Sequence, residues 1–241
     1  MGTVVEGNRS DCKGAIRRII EIASKWNSFH LANEERQARV TVLKAQEFMG
    51  TIEKIEAQEG KRKELARKEE MRKQLELLLM MFEDLAKSTD EQHRGYLLQD
   101  LLNRIFILYE IPVERSFTRN EGGEQIDGAF ELKGWYYIVE CRWRKKLSDI
   151  RELDGLSGQI SRSGKQTMGL FLSINGWSEN VCPLLKQNTA KVIIPMDGFD
   201  LRKILEGQVD LRDLVLAKIA NLNLKAEPYY GVMQYIEEHR G

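Results

Sequence analysis

The segment QIDGAFELKGWYYIVECRWRKK, Gln125 to Lys146, holds the residues whose types and spacing best suit chemistry: Asp127, Glu140 and Arg142, then Arg144, Lys145 and Lys146. Two runs with strand-like alternation flank Lys133 and Gly134, which reads as a β-hairpin closed by a tight turn. With a two-residue loop, Leu132 pairs with Trp135, and counting outward sets Asp127 opposite Glu140 on one face. Side chains so opposed have Cβ atoms ~5 Å apart, and two carboxylates there repel unless a cation lies between them. Such a pair invites Mg²⁺ or Mn²⁺, hard ions that take one or two carboxylates and keep positions for water and a phosphate oxygen. Arg142, two residues past Glu140, falls on the same face by strand periodicity and could offset charge on a phosphate.

Two alternatives stand beside this reading. A three-residue loop would shift the pairing by one and send the side chains to opposite faces, and alternation alone also fits solvated carboxylates on an outer surface. Arg144, Lys145 and Lys146, with Trp143 among them, form a basic cluster with an aromatic interleaved. It suits a phosphate backbone, or equally an ordinary basic loop before a helix.

The elements that must position these residues begin near Ser88. An amphipathic helix, Tyr96 to Tyr109, leads into strands at Val113 to Phe117, Gln125 to Leu132, Trp135 to Trp143, Met168 to Ile174 and Lys191 to Pro195, each short and rich in β-branched or aromatic residues. Helices fill the gaps at Ser148 to Arg162 and Glu179 to Gln187. Ser148 is the expected N-cap of the first, whose buried stripe is Ile150, Leu153, Leu156 and Ile160. Beyond Phe199, the pattern of Leu201, Ile204, Leu205, Leu211, Leu214, Val215, Lys218 and Ile219 predicts further short helices.

The first ninety residues contain no proline and are rich in Glu, Lys, Arg, Ala and Leu, all good helix formers. Ile16, Ile20, Ala23 and Trp26 recur at helical spacing, as do Phe48, Ile52 and Ile55, and then Leu75, Leu78, Leu79, Phe82 and Leu85; two or three helices are predicted. Between Glu53 and Lys73 the charges alternate in sign, as on a solvated helix with i,i+4 pairs such as Glu64 with Lys68. The functional alternative is a coiled-coil arm that docks a partner protein or a second copy of the chain.

Composition excludes several classes. Lys plus Arg equals Asp plus Glu at 37 each in 241 residues, so no global positive field marks a nucleic-acid binder, and such a role needs a local patch. Cys12, Cys141 and Cys182 lack CxxC spacing and nearby histidines, which argues against a zinc site or a disulfide framework and fits a reducing cytoplasm. His30, His93 and His239 form no constellation, and no GxxxxGK[ST] loop occurs, so a histidine-based site and a P-loop drop out. The longest apolar run, Leu77 to Phe82, falls far short of the ~20 residues that cross a bilayer. Met1 to Ser10 has no apolar signal-peptide core. A cytoplasmic protein with no membrane partner is expected.

Asp127, twelve intervening residues and then Glu140-Cys141-Arg142 resemble the PD-(D/E)xK nuclease motif. With the helix text RGYLLQDLLNRIF and the strand text GLFLSINGWSE in matching order and spacing, the stretch from Arg94 to Asp197, under half of the chain, resembles the Mrr-like restriction endonuclease family. The resemblance implies a mixed sheet flanked by helices and one or two divalent metals held by Asp127, Glu140 and the backbone carbonyl of Cys141. It further implies hydrolysis of a nucleic-acid phosphodiester by water attacking phosphorus in line, in a setting of prokaryotic restriction or phage defence. Two residues depart from the family pattern. Arg142 stands where the pattern ends in Lys, and a guanidinium stays protonated, so it keeps charge stabilisation and loses any role as general base. Gln99 stands where related nucleases often carry a metal-holding Glu and offers only a neutral carbonyl oxygen.

The expected fold class is α/β: a restriction-endonuclease-like mixed sheet flanked by helices, with an all-α N-terminal region. The expected boundaries are 1–88 for a helical, coiled-coil-like region, 89–198 for the nuclease-like domain and 199–241 for a short helical tail. The leading functional expectation is a DNA endonuclease dependent on Mg²⁺ or Mn²⁺. Its ligands are Asp127, Glu140 and the Cys141 carbonyl, with Gln99 a weak fourth; Arg142 stabilises phosphate, and Arg144, Lys145, Lys146 and, weakly, Gln159 contact nucleic acid. The alternative is a catalytically silent nuclease fold that binds nucleic acid or a defence partner. A scaffold subunit that works through its N-terminal helices is a third possibility.

Overall fold

The computed structural model describes residues 14–15, 17–25, 32–119, 123–188 and 192–240, with the backbone alone for 32–38. Cys12, Ile16, Trp26, His30, Lys191 and the segment 1–10 lie outside the described residues. Contacts divide the chain into two units, 1–69 and 70–241.

In the first unit, residues 17–24 are helical, and a 56-residue helix, Ala32–Lys87, begins. Two hydrogen bonds join them: Arg17 Nη1 donates to Glu56 Oε1 at 2.5 Å, and Gln46 Nε2 donates to the Ser24 carbonyl at 2.9 Å. The stripe of Phe48, Ile52 and Ile55 shares this helix with the stripe that starts at Leu75, because no proline separates them. Phe48 and Ile55 are exposed. Lys68 Nζ pairs with Glu64 at 2.7 Å, and that hydrogen bond holds the Glu64 carboxyl below its usual range.

The second unit is built on a five-stranded mixed sheet in the order β1 (Val113–Arg119), β2 (Glu124–Leu132), β3 (Trp135–Arg142), β4 (Thr167–Ser173), β5 (Ile193–Asp197). β1, β2 and β3 are antiparallel neighbours, whereas β3, β4 and β5 run parallel. The turn between β2 and β3 is the expected two-residue one: Lys133 and Gly134 both have positive φ, 55° and 78°, as a type I′ turn requires. Leu132 pairs with Trp135, and the ladder runs through Phe130↔Tyr137 to Gly128↔Val139.

Alternation along the strands gives the sheet two apolar faces. Tyr137, Val139 and Cys141 join Met168, Leu170, Leu172, Ile194 and Met196 on one face. That face is covered by Leu75, Leu78, Phe82 and Leu85 from the end of the long helix, by Leu98, Leu101, Leu102, Ile105 and Phe106 of the helix Glu91–Leu108, and by Leu201, Ile204, Leu211 and Leu214. Phe130 stacks between Phe106 and Tyr137, with 4.6 Å between centroids on each side. Ile138, Phe171 and Ile193 form the other face with Leu153, Leu156 and Ile160 of the helix Ile150–Ser161. Gly169 on β4 permits that helix its close approach, since a Cβ there would stand 2.7 Å from Ile160 Cδ1 and 2.9 Å from Leu156 Cδ2.

Several elements have bounds other than the sequence pattern predicts. The helix Glu91–Leu108 starts ahead of Tyr96 because Asp90 caps it, accepting the His93 N–H at 2.9 Å. The cap of the helix Ile150–Ser161 is Asp149, not Ser148, with Glu152 closing a capping box. Ser148 is drawn to the sheet instead: it is buried, and its hydroxyl accepts from Ser173 Oγ at 2.9 Å. The strand expected to end at Trp143 ends at Arg142.

The C-terminal helices Gly198–Leu205, Leu211–Lys225 and Val232–Glu238 are pinned by a fully buried ion pair. Lys218 Nζ lies 2.6 Å from Asp200 Oδ2 and also donates to the carbonyls of Tyr230 at 2.6 Å and Pro195 at 3.1 Å. Asp200 Oδ1 accepts the Val232 N–H at 2.8 Å. All three ammonium protons therefore have acceptors, the condition under which a buried charge is tolerated. Among the described residues no helix is long and apolar enough to cross a membrane.

Candidate functional site

The β2–β3 ladder stops one step short of Asp127 and Glu140. Beyond Gly128↔Val139 the strands part, and the Cys141 N–H donates to Asp127 Oδ2 at 3.3 Å. Alternation does not hold along β2: Ile126 and Phe130 should share a face, yet Ile126 packs in the core with Phe171 and Phe130 in the core with Tyr137, although β2 is continuous and its register with β1 runs on through Phe117↔Ile126 to Arg119↔Glu124. Asp127 and Glu140 are the next positions in the β2–β3 register but do not themselves form a paired rung; their side chains meet on one partner.

Arg142 joins them. Its Nη1 donates to Asp127 Oδ2 at 3.4 Å and to the Cys141 carbonyl at 2.8 Å, and its Nη2 is hydrogen-bonded to Glu140 Oε1. One guanidinium therefore gathers the three oxygen acceptors, two anionic and one neutral. The side chains of Asp127 and Glu140 are only 14% and 11% exposed, so the cation offsets a repulsion that little water screens. The Cys141 thiol is turned into the core, and burial, followed by the Asp127 charge, pushes its pKa up. The sulfur is an inert core group.

These residues form the floor of a cleft of about 600 Å³. Gln92, Gly95, Tyr96 and Gln99, one face of the helix Glu91–Leu108, line one wall, and Gln125 and Gln159 line another. Gln159 Nε2 donates to the Gln125 carbonyl at 3.2 Å, while its Oε1 is buried without a hydrogen-bond partner. Gln99 borders the floor beside Asp127. Arg144 stands at the rim and pairs with Glu152 Oε1 at 3.2 Å. Lys146 is engaged by Asp149 at 3.1 Å, and that hydrogen bond holds the Asp149 carboxyl low. Lys145 is exposed and lies outside the cleft lining. Trp143 is no base platform: it is buried, stacked on Phe82 at 5.0 Å.

Several contributors escaped the sequence reading. Glu152 reaches the site from the next helix, its Oε1 3.8 Å from Arg142 Nε; the spacing Asp149-x-x-Glu152 signals a capping box and says nothing of the ion pair. Arg94, buried, donates from Nη2 to the Trp143 carbonyl at 2.9 Å and from Nη1 to the Ser88 carbonyl at 3.0 Å, and so fixes the chain just past Arg142. Behind Gln159, Arg119 donates to Glu124 Oε2 at 2.5 Å, to Ser163 Oγ at 2.7 Å and to the Gln159 carbonyl at 2.6 Å. Arg162 also bonds Glu124, and these hydrogen bonds, Arg162 first, hold the Glu124 carboxyl below its ordinary range.

No cluster of three His, Cys, Asp or Glu side chains placed to hold a metal occurs among the described residues. The third oxygen here is a backbone carbonyl, and the set of two carboxylates and a carbonyl is one that fits hard divalent cations.

No family model and no curated protein matches the chain. Among solved structures, the small subunit (R.BspD6I2) of the heterodimeric restriction endonuclease R.BspD6I is similar over 66% of this chain and 93% of its own, at 16% identity and a TM-score of 0.42. A protein of unknown function, AF1548, is similar over 52% of this chain and 78% of its own, at 14% identity and a TM-score of 0.39. Likenesses this distant say nothing of the chemistry, which stands on the residues of the hairpin.

Proposed function

We propose that the cleft is a nuclease site, which hydrolyses nucleic-acid phosphodiesters with a divalent cation held by Asp127, Glu140 and the Cys141 carbonyl oxygen. One observation carries the reading: these three oxygens converge on a single cationic group at the floor of a cleft. Mg²⁺ or Mn²⁺ held there would supply Lewis-acid activation of water and charge offset on the phosphate. Arg142, displaced from the carboxylates, would remain in the lining of the same cleft, where a fixed cation would stabilise negative charge developing on a phosphate. It serves as an electrostatic group and not as a base. Arg144 at the rim supplies a second phosphate contact once it leaves Glu152, and Arg94 is a positioning residue for both.

DNA is the substrate we assign, in the restriction or phage-defence setting that the Mrr-like resemblance implies, and the N-terminal helices are the region for a partner protein or a second copy. The test is metal-dependent cleavage of labelled DNA, lost in Asp127→Ala and in Glu140→Ala.

A second reading is favoured by one feature. Arg142 already neutralises both carboxylates and Glu152 already occupies Arg144, which is the arrangement of a silent fold that binds nucleic acid or a partner without cutting. It predicts DNA binding that Mn²⁺ neither strengthens nor turns into cleavage.

A further inference from the structure

The walls of the cleft differ in chemistry from its floor. Three carboxylates, Glu91, Asp127 and Glu140, and two guanidiniums, Arg142 and Arg144, are the charged groups that line it. Both guanidiniums are paired to acids. Cations along the phosphates hold duplex and single strand alike, so these two guanidiniums do not choose between them; the uncharged lining does. It carries four glutamines, Gln92, Gln99, Gln125 and Gln159, and one tyrosine.

Tyr96 is 59% exposed on the cleft wall. Gly95 beside it leaves open space, since a Cβ there would meet nothing within 4 Å. Gln92 and Gln99 stand one turn to either side of the ring. Each glutamine amide is both donor and acceptor, and Gln159 Oε1 is already desolvated without a partner. An exposed aromatic face flanked by amides is the chemistry that stacks and reads an unpaired base. The cavity, about 600 Å³, is of the size that encloses a single small ligand. Asp127 and Glu140 line the same cleft at 14% and 11% exposure, so a phosphate reaches them by entering it.

We infer that the cleft takes an unpaired nucleotide, its base stacked on Tyr96 with its edge toward the glutamine amides, so the substrate class is single-stranded or locally unpaired nucleic acid and not intact duplex. This rests on the nuclease reading for cleavage, but its binding component stands apart from it.

The experiment uses the full chain with one fluorescent oligonucleotide sequence as a single strand, as a duplex and as a duplex with a central unpaired stretch, in DNA and RNA forms, with Mg²⁺ or Mn²⁺. Binding and cleavage are both read. The single strand and the interrupted duplex are expected to bind and react at least tenfold better than the intact duplex. Tyr96→Ala should weaken single-strand binding roughly 5- to 100-fold, and Tyr96→Phe should retain it. Duplex handled as well as single strand, or Tyr96→Ala equal to wild type, overturns the inference; if cleavage then still requires Asp127, the nuclease reading survives. Single-strand preference that depends on Tyr96 without any cleavage upholds the inference and removes the nuclease reading. No binding to any form overturns both.

Discussion

Arg142 Nη1 lies 3.4 Å from Asp127 Oδ2, and through Nη2 the same guanidinium holds Glu140, so one cation on β3 bridges the two carboxylates of the site. The proposed metal and Arg142 therefore compete for the same oxygens. Calorimetric titration with Mn²⁺ should show tighter binding to Arg142→Ala than to wild type, while cleavage falls on the order of 10²- to 10³-fold, the usual loss when a group that stabilises developing charge is removed. Arg142→Lys should recover part of the activity. An unchanged Mn²⁺ affinity in Arg142→Ala would show that Arg142 and the metal do not share ligands.

The network behind Gln159 gives a pH-dependent prediction. The Glu124 carboxyl is depressed by Arg162 and Arg119, so its contribution to stability is present above the unfolded carboxylate pKa of about 4.3 and fades as the pH falls through the lower folded value. Glu124→Gln should melt below wild type at neutral pH, and the two should converge in acid. Thermal unfolding across pH reads this directly, and a constant difference at all pH values would contradict it.

Lys218 and Asp200 make a stability prediction away from the cleft. Lys218→Ala leaves Asp200 charged and without its cation at 1% exposure, and should cost about 3–5 kcal/mol in urea unfolding. Burial already raises the Asp200 pKa and removal of Lys218 raises it further. A raised acid is penalised as pH rises, so the deficit should shrink in acid, where Asp200 takes up a proton. Lys218→Met combined with Asp200→Asn, which keeps an acceptor for the Val232 N–H and buries no charge, should be less destabilised than Lys218→Ala.

Arg94 should matter through position and not through contact. Because its Nη2 holds the Trp143 carbonyl and its side chain lies over the Trp143 ring at 5.3 Å, Arg94→Met should preserve most of the packing while loosening the chain after Arg142. The expected signature is a lower kcat with little change in KM, by roughly tenfold for a small misplacement of a charge-stabilising group. A change confined to KM would assign Arg94 to binding instead.

Much of the hairpin was legible because its turn has only one good solution: Lys133-Gly134 between alternating strands forces the Leu132–Trp135 rung. Parity then brought Glu140 and Arg142 to one face. What parity could not give was the departure from alternation in β2, which puts Ile126 in the opposite core from Phe130. Local spacing likewise identified the stripe of Leu153, Leu156 and Ile160 but not Glu152, whose meeting with Arg142 depends on where the connecting loop delivers the helix. Trp143, an aromatic interleaved among basic residues in the sequence, is buried against Phe82 just past the end of β3. Tyr96, expected at the start of an amphipathic helix, stands inside it because Asp90 caps the helix earlier, and is exposed on the cleft wall.

The measurement closest to the central claim is cleavage of DNA by the full chain in Mg²⁺ or Mn²⁺, with Asp127→Asn and Glu140→Gln prepared in parallel and their folding checked by thermal unfolding. The proposed metal site predicts strand cleavage by wild type that disappears on chelation and falls by at least 10²-fold in each folded variant. Cleavage that persists in both variants, or none by wild type with either metal on single-stranded and duplex DNA alike, would contradict it.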